Sequence, residues 1–341
     1  MTRVLVAMSG GVDSSVAAAL VRDAGHDVAG VTLKLWGGVQ DSGCCSVSDV
    51  EDARRVAAQL GLDHYVWNLT DDFDAEVVRP YVDAYASGRT PNPCIECNRV
   101  LKWGRLLDRA GALGFDAIAT GHHARIVDTA AGPRIGRGAD IAKDQSYVLG
   151  VLDATQVART LLPVGALTKY DVRRLAHELG LRTAAKPDSQ DVCFVAGGDR
   201  SAFIGSRIPS RPGRFVDRSG RDLGGHAGVQ GYTIGQRRGL GVAFGQRTFV
   251  IDIDATTDEI VLGARDDLLR DEQPFVRVRS IGDGPLRGGP VDVQVRAHGG
   301  VATAMVGSNA LRWSEPQPRV APGQSLVFYA DDVVIGSAIA A

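Results

Sequence analysis

The stretch Val4-Leu5-Val6-Ala7-Met8-Ser9-Gly10-Gly11-Val12-Asp13-Ser14-Ser15 decides how the first half of the chain is read. Four apolar residues form a strand. Two glycines form a turn, because residues without a Cβ bend sharply and approach a ligand closely. The alanine-rich segment from Val16 to Ala24 continues as a helix. A helix start carries unpaired N–H groups and the positive end of a dipole, so strand, turn and helix together make a phosphate cradle. The stretch lacks the Gly-Lys-Ser/Thr ending of a P-loop and is not Gly-x-Gly-x-x-Gly. No lysine within it reaches a γ-phosphate. Asp13 points instead to a hydroxyl or a magnesium ion.

Ser9 to Ser14 resembles the pyrophosphate loop (Ser-Gly-Gly-x-Asp-Ser) of the ATP-pyrophosphatase superfamily, whose members adenylate a carbonyl oxygen and release pyrophosphate. The surrounding pattern suits such a domain. Apolar runs at 28–35, 64–69 and 116–120 read as strands. Between them lie helical segments at 72–86 and 98–114, and one starting at Ser48 with Glu51 completing a capping box. This alternation predicts a parallel sheet covered by helices on both faces, with ligands at the carboxyl ends of the strands. The glycine loop, Leu33 and Gly121 all fall there. A further helix is expected at 168–180.

Helical periodicity fades after about residue 207. Short alternating strands at 276–281, 291–297, 302–306 and 326–329, and a hairpin at 249–254 and 259–262, predict a C-terminal β-barrel-like module. The expected organisation is therefore α/β: a parallel-sheet nucleotide-binding domain (adenine nucleotide alpha hydrolase-like) at 1–203, a small central domain at 204–268, and an all-β domain at 269–341.

The chain has 341 residues, 44% of them hydrophobic, and a net charge of −2. Its overall charge makes no case for nucleic acid, so any such case rests on local patches. No apolar run approaches the about 18 residues of a membrane span. No signal-peptide pattern precedes the first strand, so a cytoplasmic protein is expected. The five cysteines fall at Cys44, Cys45, Cys94, Cys97 and Cys193. In a reducing compartment that pattern suggests reactive thiols or metal ligands.

Two cysteine stretches carry chemistry. In Arg89-Thr90-Pro91-Asn92-Pro93-Cys94-Ile95-Glu96-Cys97-Asn98-Arg99, two prolines stiffen the approach and Cys97 is expected at a helix start. A helix N-terminus, with Arg99 and Lys102 nearby, favours the thiolate. The pair also reads as a redox Cys-x-x-Cys or half of a zinc or iron–sulfur site, completed from afar by Cys44, Cys45, His122 or His123. Two adjacent histidines at a strand end point opposite ways and rarely share one ion. In Lys186-Pro187-Asp188-Ser189-Gln190-Asp191-Val192-Cys193-Phe194, the cysteine taken alone reads as a small core residue.

These stretches, with Lys143-Asp144-Gln145-Ser146-Tyr147, the 231–239 segment and Pro322-Gly323-Gln324, resemble in order the bacterial tRNA-specific 2-thiouridylase family. The resemblance spans essentially the whole chain. It implies that ATP, with magnesium, binds at Ala7, Met8, Ser9, Gly10, Gly11, Val12, Asp13, Ser14, Leu33 and Gly121. It implies that Cys97 is the catalytic thiol and that Cys193 carries a persulfide. Asn92, Pro93 and Cys94 then lie against the target base. His122, Lys143, Asp144, Gln145, Arg296, Ala297 and Gln324 fall at tRNA-contact positions. The implied partners are tRNAs for glutamate, glutamine and lysine and a persulfide donor, either a cysteine desulfurase or a relay protein. The enzyme is expected to act as a monomer. Two departures stand out: some members carry Asp at the Cys94 position, and some carry Arg-Tyr at Arg296-Ala297.

RNA has a signal of its own. Residues 204–247 hold eight arginines (Arg207, Arg211, Arg214, Arg218, Arg221, Arg237, Arg238 and Arg247) against Asp217 and Asp222, a local excess of 8 − 2 = +6. Arginine pairs bidentately with phosphate. Two other readings stay open. One is a loop enzyme of the same superfamily that adenylates another substrate and uses ammonia, which needs neither Cys97 nor Cys193. The other is a metal- or iron–sulfur-dependent RNA module or thiolase.

Overall fold

The computed structural model describes residues 1–36, 46–188, 192–195, 199–241, 247–281, 286 and 289–341. Cys44, Cys45 and Asp191 lie outside the described residues. The N-terminal part contains β1 (Arg3–Ala7), β2 (Asp27–Lys34), β3 (Asp63–Asn68), β4 (Ala117–Thr120), the hairpin β5 (Ala124–Thr129) and β6 (Gly132–Arg137), and β7 (Thr160–Leu161). Five of these form a sheet in the order β3-β2-β1-β4-β7, and every pairing in it is parallel.

Side chains alternate across β1 and split the core. Val4, Val6 and Met8 face one cluster, packed by α1 (Val12–Asp23), α2 (Val47–Leu60) and the helix Lys169–Glu178. Leu5, Val31 and Leu33 face the other, packed by the helical runs 70–86 and 93–112. Period-two alternation on a strand covered on both faces produces this division. β1 has β2 on one side and β4 on the other, so the strand order reverses there, and a crevice opens at the carboxyl ends.

The expected alternation is present, with local differences. The capping box of α2 is made by Ser46 and Asp49, not by Ser48 and Glu51. The helical run at 93–112 starts five residues earlier than expected, because Pro93 suits a first helical position. It contains a π-helical segment, Cys97–Leu106, which begins at the catalytic candidate. π-Helical turns are rare and concentrate at functional sites.

The central strands β8 (Gly213–Val216), β9 (Asp222–His226), β10 (Phe249–Asp254) and β11 (Glu259–Gly263) form a four-stranded sheet around Phe215, Val250 and Ile260. The C-terminal strands are β12 (Leu269–Ser280), β13 (Pro290–Gln294), β14 (Val301–Val306), β15 (Ala310–Pro318), β16 (Ser325–Ala330) and β17 (Val333–Ala340). They run β12-β15-β14-β13-β16-β17, and β17 pairs back to β12, which closes a six-stranded barrel. The β5–β6 hairpin adds to this barrel through Val333 and Gly136, so the N-terminal part is tied to the C-terminal one. No described helix is long and apolar enough to cross a membrane.

Candidate active site

The glycine loop sits where β1 ends, at the point where the strand order reverses. Gly10 has φ +73°, and a Cβ there would lie 2.2 Å from the Asp49 carbonyl oxygen. Gly121, just past β4, approaches the same loop: its Cβ would lie 2.5 Å from the Ser14 amide nitrogen. Neither position admits a side chain without displacing backbone. The Ser14 hydroxyl donates to the Gly11 carbonyl and accepts from the Ser9 N–H at 3.2 Å, which closes the loop on itself. The N-cap of α1 is Gly11, with no side-chain cap. The first N–H groups of α1 therefore stay open to an anion. Leu33 lies buried at the end of β2, and the neighbouring Thr32 hydroxyl donates to the Met8 carbonyl.

A charged network not apparent from the sequence surrounds Asp13. Lys169 Nζ lies 2.7 Å from both carboxylate oxygens, and His123 Nε2 lies 3.1 Å from Oδ1. Burial pushes the Asp13 carboxyl up, but the His123 and Lys169 hydrogen bonds outweigh it and hold the carboxyl below its ordinary value. Lys169 also lies 3.0 Å from Asp188, which pairs with Lys143 and Arg173 at 2.7 Å each. Lys186 donates to the Gly10 carbonyl at 3.0 Å and to Asp49 and Asp52, which staples α2 to the loop. The loop itself holds no lysine, but the fold brings Lys169 and Lys186 to it from more than 150 residues away. No local pattern marks them.

The adjacent histidines diverge as their strand-end position predicts. His123 meets Asp13, whereas His122 accepts or donates through Nδ1 to the Thr120 hydroxyl at 2.7 Å and packs on Trp103. Burial drives the His122 pKa well below the ordinary histidine value, with Lys102 adding to it. His122 is therefore neutral near pH 7.

The cysteine half is mounted differently from the expectation. Asn92 caps the helix by accepting the Cys94 N–H at 3.0 Å. Cys97 lies in the second turn, and its own N–H donates to Pro93 and Cys94 carbonyls. Helix-end electrostatics fade beyond the first turn, so they act on Cys94 rather than Cys97. Arg99, expected to lend charge to Cys97, is paired with Glu96 at 2.6 Å. Cys97 is buried; Cys94 and Cys193 are partly exposed; all three pack against the same apolar cluster. Phe194 anchors Cys193 to it, with ring centroids 5.2 to 6.1 Å from Phe203, Tyr81, Phe73 and Trp36. Among the described residues no group of three His, Cys, Asp or Glu is placed to hold a metal ion.

Several of the expected tRNA-contact residues are tied down internally. Lys143 pairs with Asp188. The Gln145 side chain accepts the His123 N–H at 2.9 Å. The Asp144 carboxylate is buried and accepts from Arg137, the Gly138 and Ser146 N–H groups and the Ser146 hydroxyl. It therefore supports its turn, and its oxygens are not turned to solvent. Gln324 Nε2 donates to the Thr90 carbonyl at 2.6 Å, and the Thr90 N–H donates to Pro322. The barrel thus grips the segment that leads to Asn92, Pro93 and Cys94. Arg296 is exposed, and the Arg296 and Ala297 carbonyls accept from Gln294, which Arg137 also holds.

The arginine-rich patch is smaller than the sequence count. Arg214 pairs with Glu259, Arg218 with Asp267 and Arg221 with Asp217. Two of those carboxylates lie beyond the counted window, so the count missed them. Arg207 rests on the Phe203 ring. Arg211, Arg237, Arg238 and Arg247 remain exposed, with no carboxylate partner among the described residues.

Three family models match the chain in succession: a tRNA methyl transferase HUP domain over residues 2–197, a tRNA methyl transferase PRC-barrel domain over 201–264, and an aminomethyltransferase beta-barrel domain over 277–340. Among similar proteins, the tRNA-specific 2-thiouridylase MnmA of Mycolicibacterium smegmatis is 49% identical, with 97% of this chain and 96% of that protein covered. MnmA of Streptomyces coelicolor is 45% identical over 98% of this chain and 94% of that one. MnmA of Herpetosiphon aurantiacus is 44% identical over 98% and 97%. With identity this high over nearly the whole length of both partners, the chain belongs to the tRNA-specific 2-thiouridylase (MnmA) family.

Proposed function

We infer that the chain is an ATP-dependent tRNA-uridine 2-sulfurtransferase, and that Cys97 and Cys193 perform the sulfur transfer at the wobble uridine. What supports the division of labour is one observation: Cys193 and the Cys94–Cys97 pair, far apart in sequence, pack against a single apolar cluster that also takes in Leu33 and is packed by Ala7 at the end of β1.

The chemistry runs in two halves. The uracil 2-carbonyl is a poor electrophile with a poor leaving group. Its oxygen attacks the α-phosphorus of ATP, pyrophosphate departs, and the base carries AMP on O2. The open N–H groups of α1 and the loop amides hold the phosphates. Asp13 is the carboxylate of the loop that would hold a magnesium ion, since such ions take one or two carboxylates plus substrate oxygens. The ion would neutralise charge on the departing pyrophosphate. Asp13 is hydrogen-bonded to Lys169, so that ammonium must turn away to make room.

In the second half, the terminal sulfur of a Cys193 persulfide attacks C2 and AMP leaves. The Cys97 thiolate attacks the Cys193 sulfur, which frees 2-thiouridine and leaves a Cys97–Cys193 disulfide. A cellular thiol reductant then restores both cysteines. In the variant order, Cys97 attacks first and the released hydrosulfide attacks C2; the disulfide is the same. Neutral His122 beside the crevice accepts or donates a hydrogen bond without adding charge. The target base leaves its stack to reach the buried thiol, bordered by Asn92, Pro93 and Cys94. Lys143, Gln145, Arg296, Ala297 and the exposed Arg237 and Arg238 line the approach. Asp144 and Gln324 serve by holding loops.

The substrates are tRNAs for glutamate, glutamine and lysine, the sulfur comes from a persulfide donor protein, and the enzyme works as a monomer in the cytoplasm, where thiols stay reduced. Incubation with those tRNAs, ATP, magnesium and a persulfide donor, followed by nucleoside analysis, is expected to yield 2-thiouridine. ATP consumption with no 2-thiouridine would overturn the reading.

A further inference from the structure

We propose that Cys94, which borders the target base, is also the resolving thiol of the cycle. Once the base has left, it takes Cys97 out of the Cys97–Cys193 disulfide, releases Cys193, and holds the resulting Cys94–Cys97 disulfide where a dithiol reductant reaches it. This rests on the assignment of sulfur transfer to Cys97 and Cys193.

The backbone at 93–97 brings the two thiols together. The Cys97 N–H is shared between the Pro93 and Cys94 carbonyls. A bond from a residue to the carbonyl three before it tightens a turn towards the 3-10 form, in which side chains three apart eclipse. On an ordinary helix such side chains already stand about 5–6 Å apart at Cβ, and a disulfide needs about 3.5–4.5 Å. A small approach therefore joins the two sulfurs. Their access differs. Cys97 is 8% exposed, whereas Cys94 is partly exposed. Moving the disulfide onto Cys94 gives it a sulfur nearer the surface. Cys94 also lies in the first turn of the helical run 93–112, where helix-end charge favours the thiolate, the form that attacks a disulfide.

The same aromatic box borders Cys94 and the anchor of Cys193. Tyr81 is buried, and its ring lies 5.4 Å from that of Phe194, the residue after Cys193. Burial and Tyr85 push the Tyr81 hydroxyl above its ordinary value, and charge on Cys94 adds to that. All three cysteines pack on the one cluster that holds these rings.

The exchange balances without an oxidant. The Cys94 thiolate attacks the Cys97 sulfur. The Cys94–Cys97 bond forms, the Cys97–Cys193 bond breaks, and Cys193 leaves as a thiolate that takes up a proton. A reductant thiolate then attacks the Cys94 sulfur, and Cys97 leaves. The second thiol of the reductant displaces Cys94 and closes the reductant's own disulfide, so two electrons pass to the enzyme.

Persulfide-loaded protein is given ATP and one equivalent of tRNA, then quenched with an alkylating agent, and its disulfides are mapped by mass spectrometry of unreduced peptides. The same mapping is done on tRNA-free protein treated with a thiol oxidant, so that no variant has to turn over. Wild type is expected to contain Cys94–Cys97 with Cys193 alkylated. Cys94→Ser and Cys94→Asp are each expected to hold Cys97–Cys193, and a dithiol reductant is expected to reduce it at least about tenfold more slowly than in wild type, the advantage of a tethered thiol over one in solution. Cys94→Asp installs a residue that some family members carry, so the comparison survives if Cys94→Ser does not fold. Wild type that forms no 2-thiouridine, or forms it with no disulfide at Cys97, overturns the transfer reading itself. Wild type that forms Cys97–Cys193 while Cys94 stays alkylated and unbridged overturns only the present proposal. Equal reduction rates in wild type and variants do the same, since the reductant then enters through Cys193. Zinc or iron bound in stoichiometric amount by reduced wild type and lost in Cys94→Ser assigns this thiol to a metal and likewise overturns it.

Discussion

Two short turns in this protein each begin a helix, and they handle the helix start in opposite ways. The glycine loop enters α1 through Gly11, which offers no side chain to the first N–H groups. The proline–cysteine turn enters its helix through Asn92, which satisfies the Cys94 N–H, and Pro93, which has none to satisfy. The first leaves its donors for a phosphate. The second has one of them capped and one missing, and it mounts a thiol one turn further in. The same backbone geometry serves as an anion site or as a scaffold, depending on whether a capping side chain is present.

The largest test of that contrast removes the thiols. Cys97→Ser and Cys193→Ser are each expected to reduce 2-thiouridine formation by at least about a thousandfold, since the nucleophile itself is lost. Binding of an ATP analogue is expected to stay within a factor of two, because the glycine loop is a separate mount. Loss of analogue binding in either variant would show that the two halves are one unit.

Gly121→Ala attacks the other half. A Cβ 2.5 Å from the Ser14 nitrogen forces the loop to move. A displacement of this size is expected to cost about a hundredfold in kcat/KM for ATP, with tRNA affinity retained in a filter-binding assay. Equal loss of tRNA binding would mean that the loop shapes the RNA surface as well.

Asn92→Ala removes the cap that distinguishes the two turns. It is expected to destabilise the protein by about 1 kcal/mol in chemical denaturation and to lower the rate of thiolation while leaving the Kd for ATP unchanged. An unaltered rate would mean that Pro93 and the barrel's grip on Thr90 suffice to hold the mount.

The smallest effect is on pH. Burial lowers the pKa values of His64, His122 and His226. The unfolded chain therefore binds more protons than the folded one below about pH 6.5, and stability falls as pH drops from 7 towards 5. The Asp13 and Asp188 carboxyls are held below their ordinary values despite burial, by hydrogen bonds from His123 and Lys169 and from Lys143 and Lys169 respectively. Their ion pairs persist through that window and begin to fail only below about pH 4. Melting temperature is expected to decline gradually from pH 7 to 5 and steeply below 4. A flat profile between 7 and 5 would contradict the histidine assignment.

The glycine turn, the parallel sheet and the C-terminal barrel were readable because each rests on local rules: glycines where a Cβ has no room, apolar residues at period two, and turns between short strands. The cysteine mount was only half readable. Its residues were visible, but the helix starts at Pro93 behind the Asn92 cap and Arg99 pairs with Glu96 one turn back, both local signals that the cysteine spacing obscures. The arginine count overstated the patch because Glu259 and Asp267 arrive through strand pairing and turn geometry beyond the window.

Local chemistry in the chain determined the glycine turn, the cysteine positions and the order of the domains. Only the folded molecule decided what surrounds them: Lys169 and Lys186 at the loop, Asp188 among three cations, Gln324 gripping Thr90. These contacts join residues up to more than two hundred positions apart. Coulombic and hydrogen-bond partners are chosen by distance in space, and no periodicity or spacing in a sequence records that distance.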